Sequence, residues 1–152
     1  MIRKLAIVIL LLGLVGIAFG GVFVYQGFTK TNQLKEAMQV EHITLGIEVG
    51  AVEKGEFIDS AEEALIAGDT VREHRHGIAP TYGDLLEGKK FDATNPTQLT
   101  YAQALNLENY LYLAVLGFGL TQSVIASGAF MIITGFALGG TGVALFRLAK
   151  TS

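Results

Sequence analysis

The stretch that decides the fold is LAIVILLLGLVGIAFGGVFVYQGF, Leu5–Phe28, which contains no Asp, Glu, Lys, Arg or His. As an α-helix it is about 36 Å long at ~1.5 Å per residue, more than the ~30 Å hydrocarbon core of a bilayer. We therefore predict a transmembrane helix over residues 5–28. The alternative is a signal peptide, because Arg3 and Lys4 precede the run and Ala18-Phe19-Gly20 resembles a cleavage site. The apolar run continues past that site, which favours the span.

A second stretch without charged residues runs from Asn109 to Phe146. As one helix it is about 57 Å long, nearly twice the bilayer core, yet it is too short for two spans and a polar turn. Counting back from the basic residues that follow Phe146 predicts a span over residues 120–146. Residues 98–119 then form a helix outside the bilayer.

An alternative shifts this second span to residues 111–138. Tyr110 and Tyr112 would then lie at the membrane interface, where such rings are enriched. Gly139-Gly140 would break the helix before a short surface helix.

The composition agrees with a membrane protein. Of 152 residues, 51% are hydrophobic and 16% are charged, whereas about a quarter are charged in ordinary soluble domains. The chain has no cysteine, which excludes disulfides, thiolate iron–sulfur ligation and a cysteine nucleophile.

The distribution of charge predicts the topology. All 14 acidic residues lie between Glu36 and Glu108. The flanking ends, residues 1–4 and 147–152, carry four basic residues and no acidic one: Arg3, Lys4, Arg147 and Lys150. This is the positive-inside pattern. We therefore expect a multi-pass protein of the cell membrane, with both termini cytoplasmic and the central segment, residues 29–97, on the outer side.

The central segment reads as short helices and loops. The first helix continues to Val40, and residues 41–57 are rich in glycine and β-branched residues, which favours extended pieces or loop. Asp59 or Ser60 caps the middle helix. Ser60 and Glu63 fit a capping box, in which the glutamate returns to the cap's own amide. Gly77 predicts the end of this middle helix. Its buried stripe is expected to contain Ala64, Leu65, Ala67 and Val71.

The remaining elements complete the predicted fold. A single helical turn is expected over residues 82–86, and Asn95-Pro96 opens the last helix. About 80 residues with few large aliphatic side chains cannot bury a large separate core. The predicted fold is mainly α, with two transmembrane helices whose helical extensions enclose a small outward-facing segment.

Motifs that would indicate an enzyme do not occur. His74 and His76 are two residues apart, whereas helical zinc ligands are spaced i, i+4, so we expect no metal site with His42. Neither apolar stretch contains histidine or a charged residue that would ligate haem or relay protons. No phosphate-binding loop or nucleophile elbow is found. We expect a protein that is not an enzyme and holds no cofactor.

Small residues in the spans are the most informative feature. Gly16 and Gly20 in the first span, and Gly135 and Gly139 in the second, are each four residues apart. Such spacing lets helix backbones approach closely in lipid. Gly13, Gly128 and Gly142 extend the two stripes. The predicted helix-packing residues are Gly16, Gly20, Gly128, Gly135 and Gly139.

Three short stretches resemble a family of uncharacterised two-span bacterial membrane proteins. They are Val40–Thr44 after the first span, Asp59–His74 as the middle helix, and Thr81–Leu85 before the Asn-Pro pair. Members are sometimes labelled aromatic ring-opening dioxygenases, a label that this sequence does not support, because it offers no iron-ligand set. The resemblance implies an architecture and no activity.

These observations give two hypotheses for function. The first is a non-catalytic accessory or scaffold subunit of a larger membrane complex, whose partners are lipid and other membrane subunits or a second copy, and not nucleic acid. The second is an outward-facing ligand-binding or sensing module. It is motivated by four tyrosines near an aliphatic surface: Tyr82, Tyr101, Tyr110 and Tyr112.

Overall fold

The computed structural model describes residues 2–44 and 55–151, and four helices carry most of that chain. They are α1 (Ile2–Val40), α2 (Ala61–Ile78), α3 (Tyr82–Leu86) and α4 (Pro96–Thr151). An isolated antiparallel bridge joins Thr44 to Phe57. The mainly α fold with two long apolar helices is confirmed. Most of the stretch expected to be extended or loop, residues 45–54, lies outside the described residues.

The chain divides into two compact units. Residues 1–32 and 120–152 form one, which we call the helix-pair unit, and residues 33–119 form the other, the middle unit. α1 and α4 each contribute to both.

The start of α2 uses the predicted residues in a different arrangement. The Ser60 hydroxyl accepts from the Glu63 amide at 3.2 Å, as in a capping box. The Glu63 carboxylate, however, accepts from the amide of Asp59 at 2.7 Å and not from that of Ser60. The Glu63 side chain therefore binds the backbone amide of the residue before the cap.

The end of α2 is set by proline and not by glycine. Gly77 lies inside the last turn and the helix continues to Ile78, so the stop predicted at Gly77 is wrong. Ala79 is extended, with φ −155° and ψ 143°. It precedes Pro80, whose ring disfavours the helical conformation in the residue before it.

α1 ends at a residue with a left-handed backbone. His42 has φ 50°. The amide of Ile43 donates to the carbonyl of Met38 at 3.3 Å, and that of His42 to Gln39 at 3.0 Å. This is the Schellman pattern, in which glycine usually holds the left-handed position. The histidine ring lies 6.0 Å from the ring of Phe57.

α4 begins at Pro96, as the Asn95-Pro96 pair predicts, with the Asn95 side-chain oxygen accepting from the amides of Thr97 and Gln98. It continues without interruption to Thr151. The alternative with a helix break at Gly139-Gly140 is therefore wrong.

In the helix-pair unit the two helices are antiparallel and their backbones are in close contact. A Cβ built on Gly13 would lie 2.7 Å from the Gly135 carbonyl oxygen and 2.8 Å from the Gly139 nitrogen. One built on Gly20 would lie 2.6 Å from the Gly128 oxygen. Only glycine fits at these positions without a shift of the backbone.

The buried positions of this pair repeat every seven residues. On α1 they are Ala6, Gly13, Gly20 and Gly27, and on α4 they are Gly128, Gly135 and Gly142. A seven-residue repeat keeps one seam between two helices that wind around each other with a left-handed twist. A four-residue glycine spacing is instead typical of right-handed crossings.

The outer surface of the helix pair is apolar. The most apolar 18-residue windows of α1 and α4 have mean hydropathies of 2.8 and 1.9, and only 11% of each window is buried. Both helices are long and apolar enough to span a membrane. Large side chains such as Phe19, Phe130 and Ile133 are 59–69% exposed.

The middle unit has a small core of its own. Its buried members come from α1, α2, α4 and the segment before α2: Met38, Ile58, Ala64, Ala67, Leu111, Ala114 and Phe118. Val71 packs against this cluster, whereas Leu65 is 43% exposed, so Leu65 was wrongly assigned to the buried stripe. Gly68 takes part in the contact, since a Cβ there would meet the Tyr112 ring at 3.2 Å.

Candidate functional site

The candidate site is an open groove of the middle unit that surrounds Tyr110. It consists of two adjoining parts of about 380 and 420 Å³, and both are lined by Glu41 and Tyr110. We call it the Tyr110 groove. The first part is completed by Gln33, Glu36, Ala37 and Val40, and the second by Ile43, Gln103, Asn106 and Leu107.

The lining of the Tyr110 groove combines acidic and apolar residues. Glu36 and Glu41 contribute two carboxylates, and no basic residue lines either part. Within the described part of the chain, neither carboxylate takes part in an ion pair. The neighbouring Lys35 lies 3.2 Å from a carboxylate oxygen of Asp59 instead. The groove therefore favours a positively charged group.

Tyr110 differs from Tyr101 and Tyr112, two other tyrosines of the middle unit. It is 43% exposed, and its hydroxyl has no hydrogen-bond partner among residues 2–44 and 55–151. Tyr101, by contrast, is fully buried, and Tyr112 donates to Asp69. Of the four tyrosines proposed to line a site, Tyr110 lies in the groove, whereas Tyr101 and Tyr112 have structural contacts. Tyr82 is 41% exposed and lies outside the groove, with its ring centre 6.1 Å from that of Tyr101.

A buried ion pair connects α2 to α4. The Arg75 Nε donates to Glu108 Oε2 at 2.6 Å, and Nη2 is 3.4 Å from Oε1. The guanidinium also donates to the Tyr101 hydroxyl and lies 4.9 Å from the centre of that ring. Side-chain exposure is 8% for both charged partners. The hydrogen bond to Glu108 raises the pKa of Arg75 further, against the opposing effect of burial.

A second polar contact between the same helices lies nearby. The Tyr112 hydroxyl donates to Asp69 Oδ1 at 2.6 Å, and Arg72 is 2.9 Å from the same oxygen. Burial raises the pKa of Tyr112, and the hydrogen bond to Asp69 adds to the shift because it favours the neutral phenol. These contacts fix the face of α4 opposite the groove, and so they fix the position of Tyr110.

The side chains of His42 and His76 contact different residues. The His42 ring is tilted by 43° against that of Phe57, and the Nε2 of His76 accepts from Arg75 Nη2 at 3.2 Å. Among the described residues, no group of three or more His, Asp or Glu side chains is placed to hold a metal ion.

The predicted helix-packing glycines all lie in the helix-pair unit, but they do not contribute equally. Gly20, Gly128 and Gly135 are buried at backbone contacts. A Cβ on Gly16 would lie 3.4 Å from the Met131 oxygen, an ordinary contact, and one on Gly139 would meet nothing within 4 Å. Gly139 takes part only through its own backbone, which faces Gly13.

Sequence reasoning did not identify the pairing of Arg75 with Glu108. Arg75 is 7% and Glu108 6% exposed in the structure. A local signal exists in retrospect. Tyr101 and Glu108 are seven residues apart, and Glu108 and Tyr112 are four apart. A helical repeat therefore places all three on one face of α4, the face that is buried.

Comparison with known proteins identified no match among family models, curated proteins or solved structures. The interpretation of the Tyr110 groove and of the helix pair accordingly depends on their geometry.

Proposed function

We propose that this protein is a two-span membrane protein that acts as a non-catalytic accessory subunit of a larger membrane complex. The observation that carries this proposal is the exposure of two leucines of the middle unit, Leu113 and Leu116, which are 65% and 69% exposed. Neighbours on the same helix, Leu111 and Phe118, are almost fully buried. Two large aliphatic side chains on one helix face suit an apolar partner.

The character of the helix pair supports the membrane assignment. A core helix of a water-soluble protein buries most of its apolar surface, whereas only 11% of each apolar window is buried here. Exposure on this scale is favourable against lipid chains and unfavourable in water.

The register of the pair supports one placement of the second span. Gly142 lies beside Ala6 and Leu10, and Gly27 lies beside Thr121 and Ile125. Residues 5–28 therefore run alongside residues 120–146, and two antiparallel helices of one bilayer share its depth. This favours the span over residues 120–146 against the alternative over residues 111–138.

The same register supports the proposed topology. It brings the basic residues of both chain ends to one end of the pair, and Arg3 lies 5.4 Å from the ring centre of Phe146. Four basic side chains at one end of two spans favour a cytoplasmic location for that end. The middle unit is then on the outer side.

We assign the partner surface to the middle unit because the glycines already pack α1 against α4 within the same chain. Gly13, Gly20 and Gly135 already contact the opposite helix at backbone distance. Replacing them would damage the helix pair itself and would not report on a partner. Leu113 and Leu116, spaced i, i+3, suit an apolar helix of another membrane subunit.

The proposal is tested with the full-length chain isolated from its native membrane in a mild non-ionic detergent. We expect it to elute with a second subunit, and the double variant Leu113→Asn/Leu116→Asn to elute as a single chain. The matched control is Leu65→Asn, an exposed leucine of α2, which should retain the partner. A wild-type protein of single-chain mass, or a double variant that keeps its partner, would overturn the proposal.

The topology has a separate test. The chain lacks cysteine, so single cysteines at Lys89 and Ser152 report without background. In intact cells a membrane-impermeant thiol reagent should label position 89 and spare position 152. Labelling of position 152 alone would reverse the proposed orientation.

A further inference from the structure

We infer that one end of the helix-pair unit binds the headgroup of an anionic phospholipid. This surface, which we call the basic end, consists of Arg3 and Lys4 of α1 and of Phe146, Arg147 and Lys150 of α4. The inference rests on the proposed two-span arrangement, because only a chain inserted in a bilayer presents this end to lipid headgroups. It is carried by the convergence of two cations from different helices on one aromatic ring.

The geometry of the basic end brings two positive charges together at Phe146. The guanidinium carbon of Arg3 lies 5.4 Å from the ring centre, and the ammonium nitrogen of Lys150 lies 5.5 Å from it. Attraction to the ring quadrupole favours both positions. The two charges are no more than about 11 Å apart, the sum of these distances, so salt leaves part of their repulsion unscreened. An anion that contacts both cations relieves this repulsion.

The basic end also differs from the middle unit in its lack of acidic neighbours. Four basic side chains of the middle unit lie 2.6–3.8 Å from a carboxylate oxygen: Lys35, Arg72, Arg75 and Lys89. Among residues 2–44 and 55–151, none of the four basic side chains of the basic end has such a partner, and all four are exposed. Their charge is therefore available to an anion from outside the chain.

The apolar side chains beside the basic end select a lipid over a soluble anion. Ile2, Leu5 and Leu148 alternate in sequence with the basic residues and are 52%, 55% and 61% exposed. A phospholipid offers a phosphate to the cations and acyl chains to these side chains, whereas a soluble anion would leave them in water. Anionic headgroups attract lysine and arginine close to the bilayer surface. Under the proposed topology this surface is the cytoplasmic one.

The experiment measures lipid binding to the full-length chain, extracted from membranes into a non-ionic detergent, by native mass spectrometry. The chain is titrated with phosphatidylglycerol, which is anionic, and with phosphatidylcholine, which has no net charge. We expect phosphatidylglycerol to bind at least about tenfold more tightly, because four basic residues face its headgroup. Inorganic phosphate in tenfold excess should not displace it, since free phosphate lacks acyl chains.

Variants locate the binding at the basic end. Arg3→Gln/Lys150→Gln should weaken phosphatidylglycerol binding roughly 25-fold, at about fivefold for each basic residue. The matched control Lys89→Gln/Lys90→Gln removes the same charge from exposed positions of the middle unit, and it should change the affinity by less than about twofold. Both double variants should melt at the wild-type temperature, because the replaced side chains are exposed. Phe146→Leu keeps all four charges and should weaken binding about threefold, since Arg3 and Lys150 lose the ring.

Failure of this inference is distinguishable from failure of the two-span proposal. If the chain is not recovered from the membrane fraction, both fail. If it is recovered there, three results overturn the inference alone. Phosphatidylcholine binds as tightly as phosphatidylglycerol, inorganic phosphate displaces the lipid, or Lys89→Gln/Lys90→Gln weakens binding as much as Arg3→Gln/Lys150→Gln. Wild-type affinity in Phe146→Leu would likewise contradict a site built on the ring.

Discussion

In the helix-pair unit the closest contacts run between two backbones, whereas in the middle unit they run between charged and polar side chains. Gly20 faces Gly128 with no room for a Cβ, and Arg75 binds Glu108 in a buried ion pair. The difference follows from the surroundings each unit is proposed to have. Between two helices that face lipid, burial of apolar surface gives little driving force for association, so close packing of their backbones holds them together. A unit in water with a small apolar core is instead stabilised by buried hydrogen bonds and ion pairs.

The largest effect is expected in the middle unit. Glu108→Leu leaves the Arg75 charge buried without its carboxylate partner, and we expect a loss of about 3–5 kcal/mol in the free energy of unfolding. The measurement is chemical denaturation followed by the near-ultraviolet signal of the tyrosines. The double variant Arg75→Met/Glu108→Leu should recover most of the loss, because it removes both charges. If single and double variants lose equally, the ion pair is not what fixes α2 on α4.

The helix-pair unit is tested by a substitution that adds a side chain. Gly20→Leu places atoms where a Cβ alone would lie 2.6 Å from the Gly128 oxygen, and we expect a loss of about 1–3 kcal/mol from forced separation of the helices. Its control is Gly21→Leu, one residue away, where a Cβ would meet nothing within 4 Å. The midpoint of unfolding in mixed detergent micelles is the measurement. Equal shifts for both variants would contradict the seven-residue register.

Tyr112 adds a pH dependence to the comparison. Its pKa is raised in the folded protein, so its contribution to stability is fully present below the ordinary value of ~10 and is lost as the pH rises through the folded pKa. We expect Tyr112→Phe to lower the free energy of unfolding by about 1–2 kcal/mol at neutral pH, because it removes a hydrogen bond to a charged partner. The difference between wild type and variant should shrink in melts above pH 10. A difference independent of pH would contradict the role of the Asp69 bond.

The smallest effect is expected at the end of α1. His42 occupies a left-handed conformation that costs a residue with a side chain about 1 kcal/mol relative to glycine, and its ring contact with Phe57 offsets part of that cost. His42→Gly should therefore change the melting temperature by no more than about 3 °C. His42→Val, whose branched side chain disfavours this conformation, should lower it further. If His42→Val is as stable as His42→Gly, residue 42 does not adopt the left-handed conformation.

Much of the helical framework was predictable because its signals are local. The absence of charge from residues 5–28 indicates a long apolar helix, Ser60 marks the start of α2, and Asn95-Pro96 marks the start of α4. Errors arose where two local signals competed. At the end of α2 Gly77 predicts a stop, whereas Pro80 sets it, and at the start of α2 Glu63 binds the amide of Asp59 and not that of Ser60.

The contacts between distant segments were less predictable. The sequence shows glycines at four-residue spacing, such as Gly16 with Gly20, and at seven-residue spacing, such as Gly13 with Gly20. Both spacings place residues near one helix face, so the pattern alone does not decide which glycines meet the partner. The antiparallel register of α1 and α4 favours the seven-residue set.

The sequence by itself determined which segments are helical and apolar and where the charges lie, because hydropathy, capping and proline act over a few residues. Only the tertiary structure decided that Gly20 meets Gly128, that Arg75 meets Glu108 and that Tyr110 is left facing an open groove. Each of these outcomes depends on which side chain a distant segment brings to the same place. That choice is made by the packing of whole helices, and no single stretch of sequence contains it.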